Sequence, residues 1–278
     1  MKKKLYRHCF QRLRHSKLAL ALPATFLILF VSTLGIVAFT YYFSVERINT
    51  QGQTLKVSTA KTNFLSLNDA ITSTLWQPGA SSTYRLTDSG GTTHIEPTSN
   101  LLSVTVSGGD IHEIIFNASV GKVVYELPCQ SSSETGLYLK GDERSVTNQS
   151  GASISQLCIE NGLEHPEIQL RYRPAVTVAS SGTEDGRAAN TIRVYIVNLN
   201  SSDAMALMGA LPLQATCLNP QLTTKTYFVP ALLTSLTVTA SLDGKVGRVV
   251  VPVSSTGEGA VVHLELVVCN ICLERWIV

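Results

Sequence analysis

The run Leu18–Phe43, LALALPATFLILFVSTLGIVAFTYYF, is 26 residues long and contains no Asp, Glu, Lys, Arg or His. As a helix rising about 1.5 Å per residue it is long enough to cross a hydrocarbon core of about 30 Å with some tilt. Lipid offers no partner for backbone N–H and C=O groups, so a single run of this kind is stable there only as a helix. The sequence therefore predicts a transmembrane helix over 18–43. Its landmarks are Leu18, Pro23, Phe26, Phe30 and Gly35, with Phe39, Tyr41, Tyr42 and Phe43 crowding one end. Aromatic rings gather where an amphipathic side chain meets lipid headgroups. A cleaved secretory signal would have an apolar core of about 7–15 residues, shorter than this one.

Charge sets the expected orientation. Residues 1–17 carry Lys2, Lys3, Lys4, Arg7, Arg12, Arg14 and Lys17 and no acid, whereas the chain beyond Phe43 sums to about −5. Basic residues resist translocation and pair with anionic headgroups, so residues 1–17 read as a cytoplasmic basic clamp. Everything after the apolar run is then extracytoplasmic. A short basic segment abutting a membrane span is a lipid contact rather than a nucleic-acid arm, so no nucleic-acid partner is expected. Candidate N-glycosylation sites at Asn117, Asn148 and Asn200 all fall on the outer side.

Residues 44–77 read as a helical extension. Ile48, Leu55, Phe64, Leu67, Ile71 and Leu75 recur at helical spacings, and Trp76-Gln77-Pro78-Gly79 stops the pattern. Residues 78–278 read as a mainly β ectodomain, an antiparallel meander or sandwich, with a soft sub-boundary near 128–150. Thr83–Asp88 and Thr92–Glu96 flank Ser89-Gly90-Gly91 as an expected hairpin. Leu101–Val106, Ile111–Asn117 and Lys122–Leu127 follow at regular spacing. A second block comprises Ile168–Ala179, Thr191–Leu199, Leu232–Ser241, Gly247–Val253 and Ala260–Val268, with Asp243-Gly244 as a hairpin turn and Asp203–Gly209 as one short helix. Clean alternation in Thr191–Leu199 predicts a strand covered on one face. Its loss toward the C-terminus predicts strands covered on both. His263, Glu265, Glu274 and Arg275 argue against a second membrane span in the final stretch.

No catalytic pattern emerges. The histidines are scattered, no G-x-S-x-G surrounds a serine, and no phosphate-binding glycine loop is present. Asp142-Glu143 and Glu184-Asp185 read as solvated turn residues. Cys269-Asn-Ile-Cys272 is a lone C-x-x-C in a strand pattern, which favours structural cysteines over zinc or redox chemistry. A disulfide, if one forms, is expected between Cys129 and Cys158 in the less regular middle segment. No cofactor or metal is expected.

The layout resembles that of archaeal type IV pilin-like proteins. The basic Arg12, Arg14 and Lys17, the stretch Leu22-Pro23-Ala24-Thr25-Phe26-Leu27-Ile28-Leu29 and the segments Tyr84-Arg85-Leu86, Gly90-Gly91-Thr92, Ile95-Glu96-Pro97 and Leu101–Val106 carry the likeness over the first 110 or so residues. Leu18–Phe43 lacks the early glutamate common in pilins, and Arg14-His15-Ser16-Lys17 matches their processing site poorly, so the resemblance implies an unprocessed single-pass relative. Its expected partners are the lipid bilayer and other pilin-like subunits or envelope components. The expected role is a non-enzymatic surface protein serving structure, adhesion or assembly. The alternative is a membrane-tethered module binding a small solute or envelope polymer through aromatics such as Tyr172 and Tyr195. An envelope enzyme assembled from dispersed residues is the third reading.

Overall fold

A computed structural model describes residues 2–128, 135–148, 153–163 and 165–276, with side chains from residue 23 onward. One helix, α1, occupies Lys2–Thr74, with Pro23 inside it. It continues through the Gln/Thr-rich stretch 50–54, where the Thr50 and Thr54 hydroxyls donate to the carbonyls of Glu46 and Thr50, both at 3.0 Å. It stops where the sequence predicts, and the left-handed residue at the stop is Trp76 (φ 67°), followed by Gly79 (φ 77°).

Sixteen strands follow among the described residues. They begin with β1 (Ser81–Leu86), β2 (Thr92–Glu96), β3 (Leu101–Gly108), β4 (Ile111–Ser119) and β5 (Lys122–Glu126). The middle contains β6 (Tyr138–Lys140), β7 (Thr147–Asn148), β8 (Ser155–Asn161), β9 (Pro166–Tyr172), β10 (Ala175–Glu184) and β11 (Arg187–Asn198). Then come β12 (Met205–Met208), β13 (Leu211–Val229), β14 (Ser235–Leu242), β15 (Lys245–Pro252) and β16 (Ala260–Arg275). They form three sheets, ordered β1-β13-β16-β11-β10-β7, β12-β2-β5-β9-β8-β6 and β15-β14-β3-β4.

Pairing is mostly antiparallel, but β11 runs parallel to β16 along its length, and β7 runs parallel to β10. The expected β1–β2 hairpin does not form: β1 pairs with β13, while β2 lies between β5 and β12. The 3–4 and 14–15 hairpins do form, the latter turning on Asp243 and Gly244 with positive φ at both. Asp203–Gly209 is not helical. Its Met and Leu residues favour helix intrinsically, yet the open edge of β2 recruits Met205–Met208 as a strand.

Two cores lie on opposite faces of the first sheet. The first core gathers Phe64, Leu67, Ile71 and Leu75 of α1, the second sheet's Ile95, Val123, Ile168 and Leu170, and Leu213, Cys217, Ile271 and Leu273 of the first sheet. The second core sets Leu102, Val104, Leu236 and Val238 of the third sheet against Ile192, Val194, Val262 and Leu264. Both central strands change their buried face at one register. Ile196 and Val268 are partners facing the second core, and the next pair, Val197 and Cys269, faces the first. Successive strand side chains point to opposite faces, so this switch puts each end of β11 and β16 under a different layer. The broken C-terminal alternation is therefore a change of phase, not coverage on both faces.

By compactness the chain divides into Met1–Thr54 and Leu55–Val278. Strands from before and after 128–150 mix in all three sheets, so the sub-boundary expected there does not divide the β-rich unit.

Gly91 shows why the 89–91 turn requires glycine. Its N–H donates to the Tyr125 hydroxyl at 2.8 Å, and a Cβ there would lie 2.0 Å from the Glu126 carbonyl oxygen. Only backbone movement relieves such a clash. Gly91→Ala is expected to lower unfolding stability by about 2 kcal/mol or more, read as a drop in urea midpoint.

Candidate functional site: an exposed apolar helix

Among the described residues, Pro23–Thr74 is the one helix long and apolar enough to cross a membrane by length and composition, and none of its most apolar stretch is buried within the chain. From Phe26 to Phe43 its large apolar side chains are 53–73% exposed. Phe26, Phe30, Phe39, Tyr41, Tyr42 and Phe43 all belong to this surface, and Pro23 and Gly35 are exposed with them. A continuous apolar surface of this extent marks an interaction with lipid or protein. Of Leu18 and the basic residues Lys2, Lys3, Lys4, Arg7, Arg12, Arg14 and Lys17, only helical backbone is described.

Four serine and threonine hydroxyls along this helix bond to carbonyls of its own backbone. Ser32 donates to the Leu29 carbonyl at 2.9 Å, Thr33 to the Leu29 and Phe30 carbonyls, Thr40 to Ile36 at 2.8 Å and Ser44 to Thr40 at 2.7 Å. Such back-bonding leaves these four hydroxyls with no need of water, which suits a helix surrounded by hydrocarbon. Pro23 removes one N–H from the ladder and leaves the carbonyl of Ala19 without its helical donor.

The three sequon asparagines are exposed: Asn117 on β4, Asn148 on β7 and Asn200 just past β11. Ser202, the third residue of the last sequon, is buried and accepts the Leu273 N–H at 2.8 Å.

The residues expected to bind a ligand do not form a platform. Tyr172 is buried in the first core, its hydroxyl 3.4 Å from Asn68 Oδ1, and burial raises its phenol above the usual range. Tyr195 is half-buried edge-on against Trp76 at 5.0 Å between ring centroids. The polar pocket between α1 and the 87–91 turn is closed by its own groups: Asn63 donates to the Thr87 carbonyl at 2.7 Å, and Ser89 meets the Tyr125 hydroxyl at 2.5 Å.

Among the described residues, no group of three or more His, Cys, Asp or Glu side chains is placed to hold a metal ion. Cys269 and Cys272 stand three apart on one strand, so they point to opposite faces and do not act as a local C-x-x-C pair. The bridge expected at Cys129–Cys158 involves a cysteine outside the described residues. Cys158 is a free thiol 3.5 Å from Glu160 Oε1, and burial pushes it up to about 12.

Glu184 and Asp185 are exposed at the β10–β11 turn, as expected. Asp142 is not a solvated turn residue. It holds Arg144 at 2.6 Å and also pairs with the buried Arg173. Sequence spacing gives no sign of this, because Arg173 lies 31 residues away.

No family model, no curated protein and no solved structure matches the chain.

Proposed function

We propose that the chain is a single-pass membrane-anchored surface protein whose β-rich unit lies outside the cytoplasmic membrane and serves structure, adhesion or pilin-like assembly rather than catalysis. The observation that carries this reading is the apolar helix surface from Phe26 to Phe43, exposed throughout and free of Asp, Glu, Lys, Arg and His. Water would charge heavily for that surface, at about 25 cal/mol per Å², whereas a bilayer accommodates it without cost. The basic residues before it support an N-terminus held on the cytoplasmic side, and the aromatic cluster at its far end suits a membrane–water interface. Exposed sequon asparagines agree with that orientation. Beyond the aromatic cluster, Val45, Ile48 and Leu55 remain exposed on α1, an apolar surface that suits side-by-side association of many copies.

Membrane attachment and orientation are testable together. The full-length chain is expected to stay with membranes through alkaline carbonate washing. Protease added to intact cells is expected to digest the β-rich unit and leave a short N-terminal fragment in the membrane. Release by carbonate overturns the anchor, and an undigested β-rich unit overturns the orientation.

A further inference from the structure

Cys217 on β13 and Cys269 on β16 bring their Sγ atoms to 3.4 Å of each other, and both residues are fully buried in the first core. They are not directly opposed: Cys217 faces Ile271, and Cys269 faces Pro220. Diagonal partners in a regular ladder sit about 7–8 Å apart, beyond disulfide reach. The ladder here is irregular, because an extra residue between Cys217 and Asn219 forms a bulge that shifts the register at this point. A bulge bends its strand, and the exposed Leu218 is the residue it ejects. Closing the sulfurs from contact to a bond of about 2.05 Å needs about 1.4 Å of movement, within reach of two small side-chain rotations.

We propose that Cys217 and Cys269 are a cross-strand disulfide pair, oxidised by a disulfide-bearing thiol oxidant while the β-rich unit folds. Two S–H bonds break and one S–S bond forms, and the two electrons and two protons pass to the oxidant, whose disulfide opens to two thiols. Oxidation precedes closure of the core, because the folded pair has no exposed sulfur. Burial also pushes the Cys269 thiol up to about 12, with the neighbouring Cys217 thiol adding to the rise, so little thiolate exists once the core has closed. The bond joins the two longest strands beside the helix exit, where Gly79 donates to the Cys217 carbonyl at 2.8 Å and the Cys217 N–H donates to Ala80 at 2.9 Å. Cys272 lies on the other face of β16, and Cys158 belongs to the second sheet, so neither competes in the folded register. Oxidation in the cell, unlike the pairing itself, rests on the outward placement proposed above.

The test uses the full chain, denatured and reduced in detergent, then refolded with either a reduced/oxidised glutathione mixture or reduced glutathione alone. Free thiols are trapped with N-ethylmaleimide, and the digest is mapped without reduction. The glutathione mixture is expected to yield one linked peptide pair carrying Cys217 and Cys269, lighter by two hydrogens than the separate peptides. Cys158 and Cys272 are expected to carry the maleimide. Closing a loop of this length is expected to raise the apparent Tm by about 5–10 °C over the reduced chain. Both cysteines trapped as free thiols, or either one linked elsewhere, overturns the pairing. The same map on protein trapped in native membranes separates the two proposals: a linked pair supports both. Free thiols there, with the pair linked on refolding, leave the pairing standing and overturn the outward placement.

Discussion

Truncating Phe64 to alanine is expected to cost about 3–5 kcal/mol of unfolding stability, the range for a fully buried phenylalanine whose site does not collapse. Phe64 has no exposed surface and stands on the face of α1 that also presents Ala60, Leu67 and Ile71. Its ring meets Tyr125 at 5.8 Å between centroids with the planes tilted by 56°, an arrangement that favours aromatic pairs. Removing it takes away an aromatic contact between the helix and β5 and opens a void between two layers built on different elements. Neither layer can close the gap without shifting its own register, so little relaxation is available. A domain with 5–15 kcal/mol in hand loses a large share of that margin. Urea unfolding of the full chain in detergent measures the loss. Leu55→Ala, on the same helix but 68% exposed, is expected to change the unfolding stability by no more than about 0.5 kcal/mol. Equal effects from the two substitutions would show that the helix does not use Phe64 to hold the sheets.

That contrast also shows how far the sequence can be read. The spacing of Phe64, Leu67, Ile71 and Leu75 identifies the helix and its buried face, because a 3.6-residue period is local information. Strands bounded by glycine turns are equally local, and β3, β4, β14 and β15 are legible from their hairpins. What fails is pairing between distant segments. The 89–91 turn looks like a hairpin, yet β1 finds its partner beyond residue 210. The longest strand, β13, goes unread because Asn219-Pro220 resembles a loop and Thr223-Thr224-Lys225-Thr226 lacks alternation. In the structure Pro220 sits next to the bulge, past the end of β1, where β13 forms the sheet edge, a place that tolerates proline. The thiol pair is hidden for the same reason, since its two members lie 52 residues apart and meet only through that strand. The exposed apolar stretch of α1 from Pro23 to Phe43 is legible as helix from composition alone, whereas the helical continuation back to Lys2 is not.

Asp142→Asn is expected to cost about 2–4 kcal/mol at neutral pH through Arg173, whose side chain has no exposed surface. Four contacts besides the carboxylate hold that guanidinium. Its Nε and Nη2 donate to the Ser153 carbonyl at 3.0 and 2.8 Å, and its Nη1 reaches the Arg144 and Asp142 carbonyls at 2.9 and 3.3 Å. Those bonds satisfy hydrogens but not charge, which among the described residues Asp142 neutralises. The full penalty of a broken buried pair is reduced here because Asp142 is 39% exposed and already reaches water. The arrangement matters because segment 141–146 connects sheets. Gln156 on β8 donates to its Asp142 and Arg144 carbonyls at 2.7 and 2.9 Å, Ser145 donates to the Lys245 carbonyl at 2.7 Å, and Val146 enters the second core. The pH dependence follows from sign. Arg144 and then Arg173 hold the Asp142 carboxyl well below the usual carboxylate range, against the opposing effect of burial. A carboxyl depressed in the folded state adds stability that is complete above its unfolded pKa, near 4, and is lost as pH falls toward the folded value. Wild-type stability is therefore expected to decline below about pH 4, and Asp142→Asn is expected to flatten that limb while lowering the neutral plateau. Arg144→Ala removes the exposed partner and is expected to cost less than about 1 kcal/mol. If Asp142→Asn leaves both plateau and limb unchanged in urea titrations across pH, the buried arginine is held by carbonyls alone, and segment 141–146 does not need its charge.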